Sequence, residues 1–182
     1  AYTGVLDFPS KYEGSDKARD KLNPAAEQRY LKLTGDMREM EKGVNVMVGR
    51  YFKYGRPQEV ACAMSWLASW AEAGALLSEE HNHTGMSVRK WTLGSLAGAY
   101  LRLKFSASQP LAAHAEQAQQ VERWLGQLAD RVVADWNAYP KERSNNHNYW
   151  AAWSVMASAV ILDRRDLFDW AVGQYRHGMA QV

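Results

Sequence analysis

The densest run of chemically capable side chains is Arg143-Ser144-Asn145-Asn146-His147-Asn148-Tyr149-Trp150, followed by Trp153. Ser144, Asn145 or Asn146 can cap a helix, because a short polar side chain accepts the orphan amide protons of the first turn. His147 then falls in that first turn, where the helix dipole disfavours the imidazolium. A neutral imidazole can accept a proton or donate one hydrogen bond at neutral pH. Trp150 follows by three residues and Trp153 by six, so the spacing predicts His147, Trp150 and Ser154 on one helical face. Imidazole, indole and carboxamides together suit a uronic acid: carboxamides hydrogen-bond its carboxylate while the indole faces the sugar ring. A capped helix with a packed His–Trp pair is the plainer alternative.

His81-Asn82-His83-Thr84-Gly85 is a second cluster. An H-x-H pair can ligate a metal, but a third ligand at a recognisable spacing is missing, and a polar turn before a helix needs no function. Lys11-Tyr12, flanked by Glu13 and Gly14, is a third: a cation and an aromatic on a loop could clamp an anionic sugar. Arg89 and Lys90 beside Trp91, and Lys141 with Arg143, either add positive potential to a cleft or sit exposed on helices. Asp163-Arg164-Arg165-Asp166 reads as a solvated corner capping a last helix. There is no G-x-S-x-G, and no Gly-rich phosphate loop. The single Cys62 lies in an Ala-rich apolar stretch without a nearby His, which predicts a buried core residue.

Positioning these residues falls to helices. Residues 1–23 have no sustained period and are punctuated by Gly4, Pro9, Gly14 and Pro24. They are expected as an opening lid-like loop, since so long a structureless stretch is otherwise uncommon. From Pro24 to Tyr54 apolar side chains recur every three or four residues, with Pro24 suited to a first helical position and Gly55 to a stop. Further helices are expected from Pro57 to about Leu77, Ser87 to Phe105, Pro110 to Trp136, Asn146 to Leu162, and from Arg164 onward. No β-branched run alternates like a strand. Six helices on short connections must pack as antiparallel neighbours, in a bundle, a solenoid or a toroid. The last helix is still in phase at Val182, which is expected of a chain cut within an element.

Composition fits one all-α domain spanning 1–182. At 182 residues the chain can bury roughly 70% of its unfolded surface and needs no metal or disulfide. With 22 Lys+Arg against 20 Asp+Glu, the net charge of +2 is too small to suggest a nucleic-acid partner. No apolar run approaches the roughly 20 residues of a membrane span, so no membrane partner is expected. Aromatic residues make up 12%, with eight Trp, a surplus that suits stacking on sugar rings as well as a Trp-rich core.

Four strings resemble the periplasmic alginate lyases of alginate-producing pseudomonads and Azotobacter. They are Ser10-Lys11-Tyr12-Glu13-Gly14-Ser15-Asp16, Asn82-His83-Thr84-Gly85, Asn145 to Met156, and Arg164 to Val172. The likeness runs in order over essentially the whole chain. It implies an incomplete α/α toroid of antiparallel helical hairpins with a deep cleft, a signal peptide removed on export, and periplasmic cleavage of poly-β-D-mannuronate by β-elimination. No cofactor or metal is implied; the partner is the anionic polysaccharide, with other alginate-export components as further candidates. The resemblance makes Asn146 a hydrogen-bond donor to the uronate carboxylate. His147 either takes the C5 proton or helps stabilise the enediolate. Lys11 and Tyr12 match a substrate-contacting loop, His83 and Thr84 a second lining segment, and Trp150 would face the ring. The family's catalytic Arg and Tyr match nothing here, so residues 1–182 are expected to be an impaired N-terminal half. Met86 stands where Lys is frequent, and His81 where Phe is. Additional family cysteines lie outside this span. A non-catalytic uronate-binding helical domain is the alternative reading.

Overall fold

The computed structural model describes residues 1–12, 21–139 and 146–180. Among these, regular structure is helical: α1 (Pro24–Leu33), α2 (Gly35–Tyr54), α3 (Pro57–Glu72), α4 (His83–Lys104), α5 (Ala115–Asn137), α6 (Asn146–Leu162) and α7 (Arg165–Met179). A short 3-10 turn, Pro110–His114, precedes α5. The helices form two layers. α2, α4 and α6 lie side by side in one, and α3, α5 and α7 back them in the other. The core between them includes Val44, Met64, Leu67, Leu96, Tyr100, Trp124, Leu128 and Val155.

Several boundaries differ from the expected ones for local reasons. The stretch 24–54 breaks at Thr34, whose hydroxyl donates back to the Tyr30 carbonyl at 2.8 Å and competes with the helical ladder. At its start the Asn23 side chain accepts from the Ala26 amide, and at its end Gly55 adopts a left-handed conformation. α3 stops at Glu72, short of Leu77, because Gly74 and then Leu76 turn left-handed (φ 63° and 62°). α4 starts at His83, four residues early: the Asn82 side chain caps it by accepting from the Gly85 amide at 2.8 Å. His83 and Thr84 are therefore helical residues of a first turn.

The opening segment is pinned over its first eight residues, where a lid-like loop was expected. Leu6 donates to the Glu80 carbonyl and accepts from the Asn82 amide, both at 3.0 Å, while Leu76 donates to Tyr2. Asn82 also donates to the Phe8 carbonyl at 2.8 Å. Leu6 and Phe8 are buried, so the segment is a strap across the mouth of α4. Residues 13–20 lie outside the described residues. The strap passes so close that a Cβ on Gly85 would sit 1.8 Å from the Leu6 carbonyl oxygen. Gly85→Ala must push two backbones apart, so urea unfolding should show a loss of ~3 kcal/mol; an unchanged midpoint would mean the strap yields freely.

Two further expectations are corrected. Cys62 is exposed, because it sits on the outward side of α3 while Ala63, Met64 and Leu67 take the core positions. Arg89 and Lys90, expected on an exposed face or a cleft rim, are fully buried. α4 is enclosed by α2, α5 and α6 and has no wholly solvated face on which charge could escape.

Candidate active site

The two ends that meet at the site are the first turns of α4 and α6. His147, second residue of α6, is half-buried, and its Nδ1 lies 2.7 Å from the Lys90 Nζ and 3.3 Å from the Ser87 Oγ. Ser87 and Lys90 are one turn apart on α4, with Nζ donating to Oγ at 3.3 Å. Nζ stands 4.0 Å above the Trp136 ring and 5.2 Å from that of Trp91. Rings continue around the imidazole: Trp91 at 5.7 Å, His83 at 5.6 Å, then Tyr139 stacked on His83 at 5.3 Å and Trp136 on Tyr139 at 6.0 Å. The indole N–H of Trp136 is buried without an acceptor among the described residues.

This setting keeps His147 neutral. Burial, then the positive potential of Lys90, then that of His83, lower its pKa to about 4. Lys90 is itself lowered to about 6, by burial alone. Since 6 lies below the ordinary 10.5, the unfolded chain binds a proton there that the folded chain lacks, and stability rises with pH across that window. Lys90→Met should therefore stabilise the chain by ~2 kcal/mol at pH 7, the lost amine contacts offsetting part of a linkage cost of ~1.4 kcal/mol per pH unit. Thermal melts at pH 7 and pH 10 would check both the gain and its shrinkage with pH.

Behind the site a second cationic group is fully paired. Arg89 donates to Asp135 at 2.6 Å and to the Leu76 carbonyl at 3.0 Å, and also to the Ser78 carbonyl. His81 Nε2 lies 3.1 Å from the other Asp135 oxygen. One end of the H-x-H pair thus serves this cluster and the other the ring wall. Among the described residues no group of His, Cys, Asp and Glu could hold a metal.

The remaining expected site residues are distributed as follows. Asn146 opens α6 and is exposed; Ser144 and Asn145 lie outside the described residues. Thr84 is half-buried in the first turn of α4, and Met86 is buried in the core. Lys11 lies over the Tyr30 ring at 4.6 Å, and exposed Tyr12 pairs with Leu22. Lys11 and Trp91 line one pocket of about 200 Å³, which joins Lys11 to the Trp91 that flanks His147. His147 and Ser154 both approach α4, as their spacing predicts, while Trp150 lies at the solvent side of that face. Trp150 is exposed, Ser154 is buried donating to the Ala151 carbonyl, and the indole against His147 is Trp91. The larger depression, about 860 Å³, lies along α2 and includes Trp66; it meets the smaller pocket at Arg38 and Glu41. Exposed Trp153 stands over α4, where a Cβ on Gly94 would come within 3.1 Å of its ring.

The sequence profile of the alginate lyase family matches residues 7–182. This chain belongs to the alginate lyase family. An alginate lyase of Pseudomonas putida KT2440 is 60% identical over 181 residues, covering 100% of this chain and 49% of that protein. The alginate lyase of Pseudomonas aeruginosa PAO1 is 54% identical over the same span. The chain thus spans about half the length of these relatives. Among solved structures, alginate lyase A1-III from Sphingomonas species A1 superposes with a TM-score of 0.70 at 24% identity, over 97% of this chain and 47% of that one. Its tyrosine-to-phenylalanine variant complexed with a tetrasaccharide superposes at 0.74 and 25% identity, over the same shares. The two helical layers are accordingly part of an incomplete α/α toroid.

Proposed function

We propose that the whole protein of which these residues form part cleaves alginate, preferring poly-β-D-mannuronate, by β-elimination that leaves 4,5-unsaturated uronate ends. Family membership supports the reaction class. The observation that carries the site assignment is the neutral His147 at the mouth of α6, beside Asn146 and walled by Trp91, His83 and Tyr139. The proton α to a sugar carboxylate is barely acidic until that carboxylate's charge is stabilised. Asn146 donates to the carboxylate, and His147 acts on it or on the C5 proton. Lys11, Tyr12, His83 and Thr84 line the chain's path, and Trp150 offers an exposed indole for stacking. In mannuronate the C5 proton and O4 share a face, so one tyrosine can be both base and acid, and none of the nine Tyr here is assigned that part.

The protein acts in the periplasm on this reading, after removal of a signal peptide, alongside other alginate-export components. That placement follows the resemblance to periplasmic lyases. Residues 1–182 alone should turn over poorly. The test follows the absorbance of the new C4–C5 double bond on poly-mannuronate, comparing the full-length protein with residues 1–182. Product from the full-length protein and little from the shorter chain supports the proposal. Alginate binding by the full-length protein without unsaturated product, lost in Trp150→Ala, would replace it with the non-catalytic uronate-binding domain.

A further inference from the structure

Lys90 is unusual for what surrounds its amine. Nζ is wholly buried and no carboxylate pairs with it among the described residues; its neighbours are the Trp136 face, the Ser87 hydroxyl and the Nδ1 of His147. A further titratable ring, His83, faces His147 across the ring wall, and Arg89, next to Lys90 on α4, is paired with Asp135 of α5, which His81 also approaches. The aromatic face attracts an N–H and repels a lone pair. A protonated amine has three N–H groups and no acceptor, so it must donate to Nδ1. A neutral amine has two N–H groups and one lone pair, and two hydrogen-bond cycles then become possible. In one, Lys90 donates to Nδ1 and the Ser87 hydroxyl donates to Lys90. In the other, Nδ1–H donates to the amine and Nε2 is left bare.

A carboxylate separates the two. It offers acceptors only, so a bare Nε2 facing it would repel, whereas an Nε2–H would donate. Only the first cycle serves both protonation states of the amine without moving the ring's hydrogen.

We propose that Lys90 is a positioning residue for His147: its amine donates to Nδ1, confines the ring hydrogen to Nε2, and makes His147 a donor to a uronate carboxylate. His147 is then not the group that removes the C5 proton, and the base lies elsewhere in the whole protein. This rests on the lyase reading for its ligand, but the lysine–histidine pairing is testable without turnover.

The experiment is a long-range nitrogen–proton correlation spectrum of residues 1–182 labelled with 15N-histidine, with His147 assigned from the His147→Gln spectrum. At pH 7.5 the ring of His147 should carry its hydrogen on Nε2, with Nδ1 bare. In Lys90→Met, which replaces the amine by an apolar chain of similar length, Nδ1 should become partly protonated. The ring's titration midpoint should also rise by about one pH unit, a tenfold change in proton affinity, once the amine's positive field is gone. A hydrogen on Nδ1 in the parent chain would overturn the proposal. So would a Lys90→Met spectrum with unchanged tautomer and midpoint in a chain that remains folded by circular dichroism. Failure of the full-length protein to form unsaturated product would sink the lyase reading while leaving these spectra to decide the pairing.

Discussion

His147→Ala should cut formation of unsaturated product by the full-length protein about 10³-fold while the fold and alginate binding persist. The size follows from the donor role of the imidazole: one donor to a developing oxyanion contributes ~10²–10³. The fold should tolerate the change because the ring is only half-buried and the residue lies in the first turn of α6, outside the interior of the α4–α6 contact. Removing it also removes a partner from Lys90, whose lowered pKa leaves it mostly neutral above pH 6, so no bare charge is stranded. Steady-state rates on poly-mannuronate give the first quantity, and a binding isotherm at the same pH gives the second. A variant with near-normal turnover would remove His147 from the mechanism.

Asp135→Ala should destabilise the chain by ~4 kcal/mol, with a fall of about 10 °C in melting temperature. Arg89 has no exposed surface and its pKa is pulled down by burial, with Asp135 the group that opposes this. Take the carboxylate away and a guanidinium remains in the interior, held only by the carbonyls of Leu76 and Ser78. The loss should be largely recovered in Asp135→Ala/Arg89→Met, because replacing both partners by apolar groups removes the stranded charge. Calorimetry of the three chains makes the comparison. Equal losses in the single and double variants would assign the effect to packing instead.

The two stretches that the sequence reading handled least well are those most enclosed. α5 and α7 carry polar residues along one side, and their spacing predicts them closely. α4 and α6 have almost no such asymmetry, since both lie in the inner layer with neighbours on several sides, so periodicity cannot say which side chains face inward. That is why Arg89 and Lys90 were not placed in the interior. A signal was present: an Arg-Lys pair set between Val88 and Trp91 in a helix otherwise rich in Gly, Ala and Leu has no polar side on which to rest. Asn146, His147 and His83 were singled out on chemistry, capping and the family resemblance. Ser87, Trp136 and Tyr139 were not, because their part in the site comes from α4 and α5 meeting α6, which no local pattern encodes.

The strap described at the mouth of α4 also sets an order of events during synthesis. Asn82 reaches back 74 residues to Phe8, and Leu6 lies against Gly85. A ribosome delivers Leu6 and Phe8 into water well before their partners leave the exit tunnel, at ~5–20 residues per second. For those seconds the nascent chain carries two apolar side chains whose partners have not yet been made. The first turn of α4, and with it one wall of the candidate site, is completed only when that early segment returns to close over it.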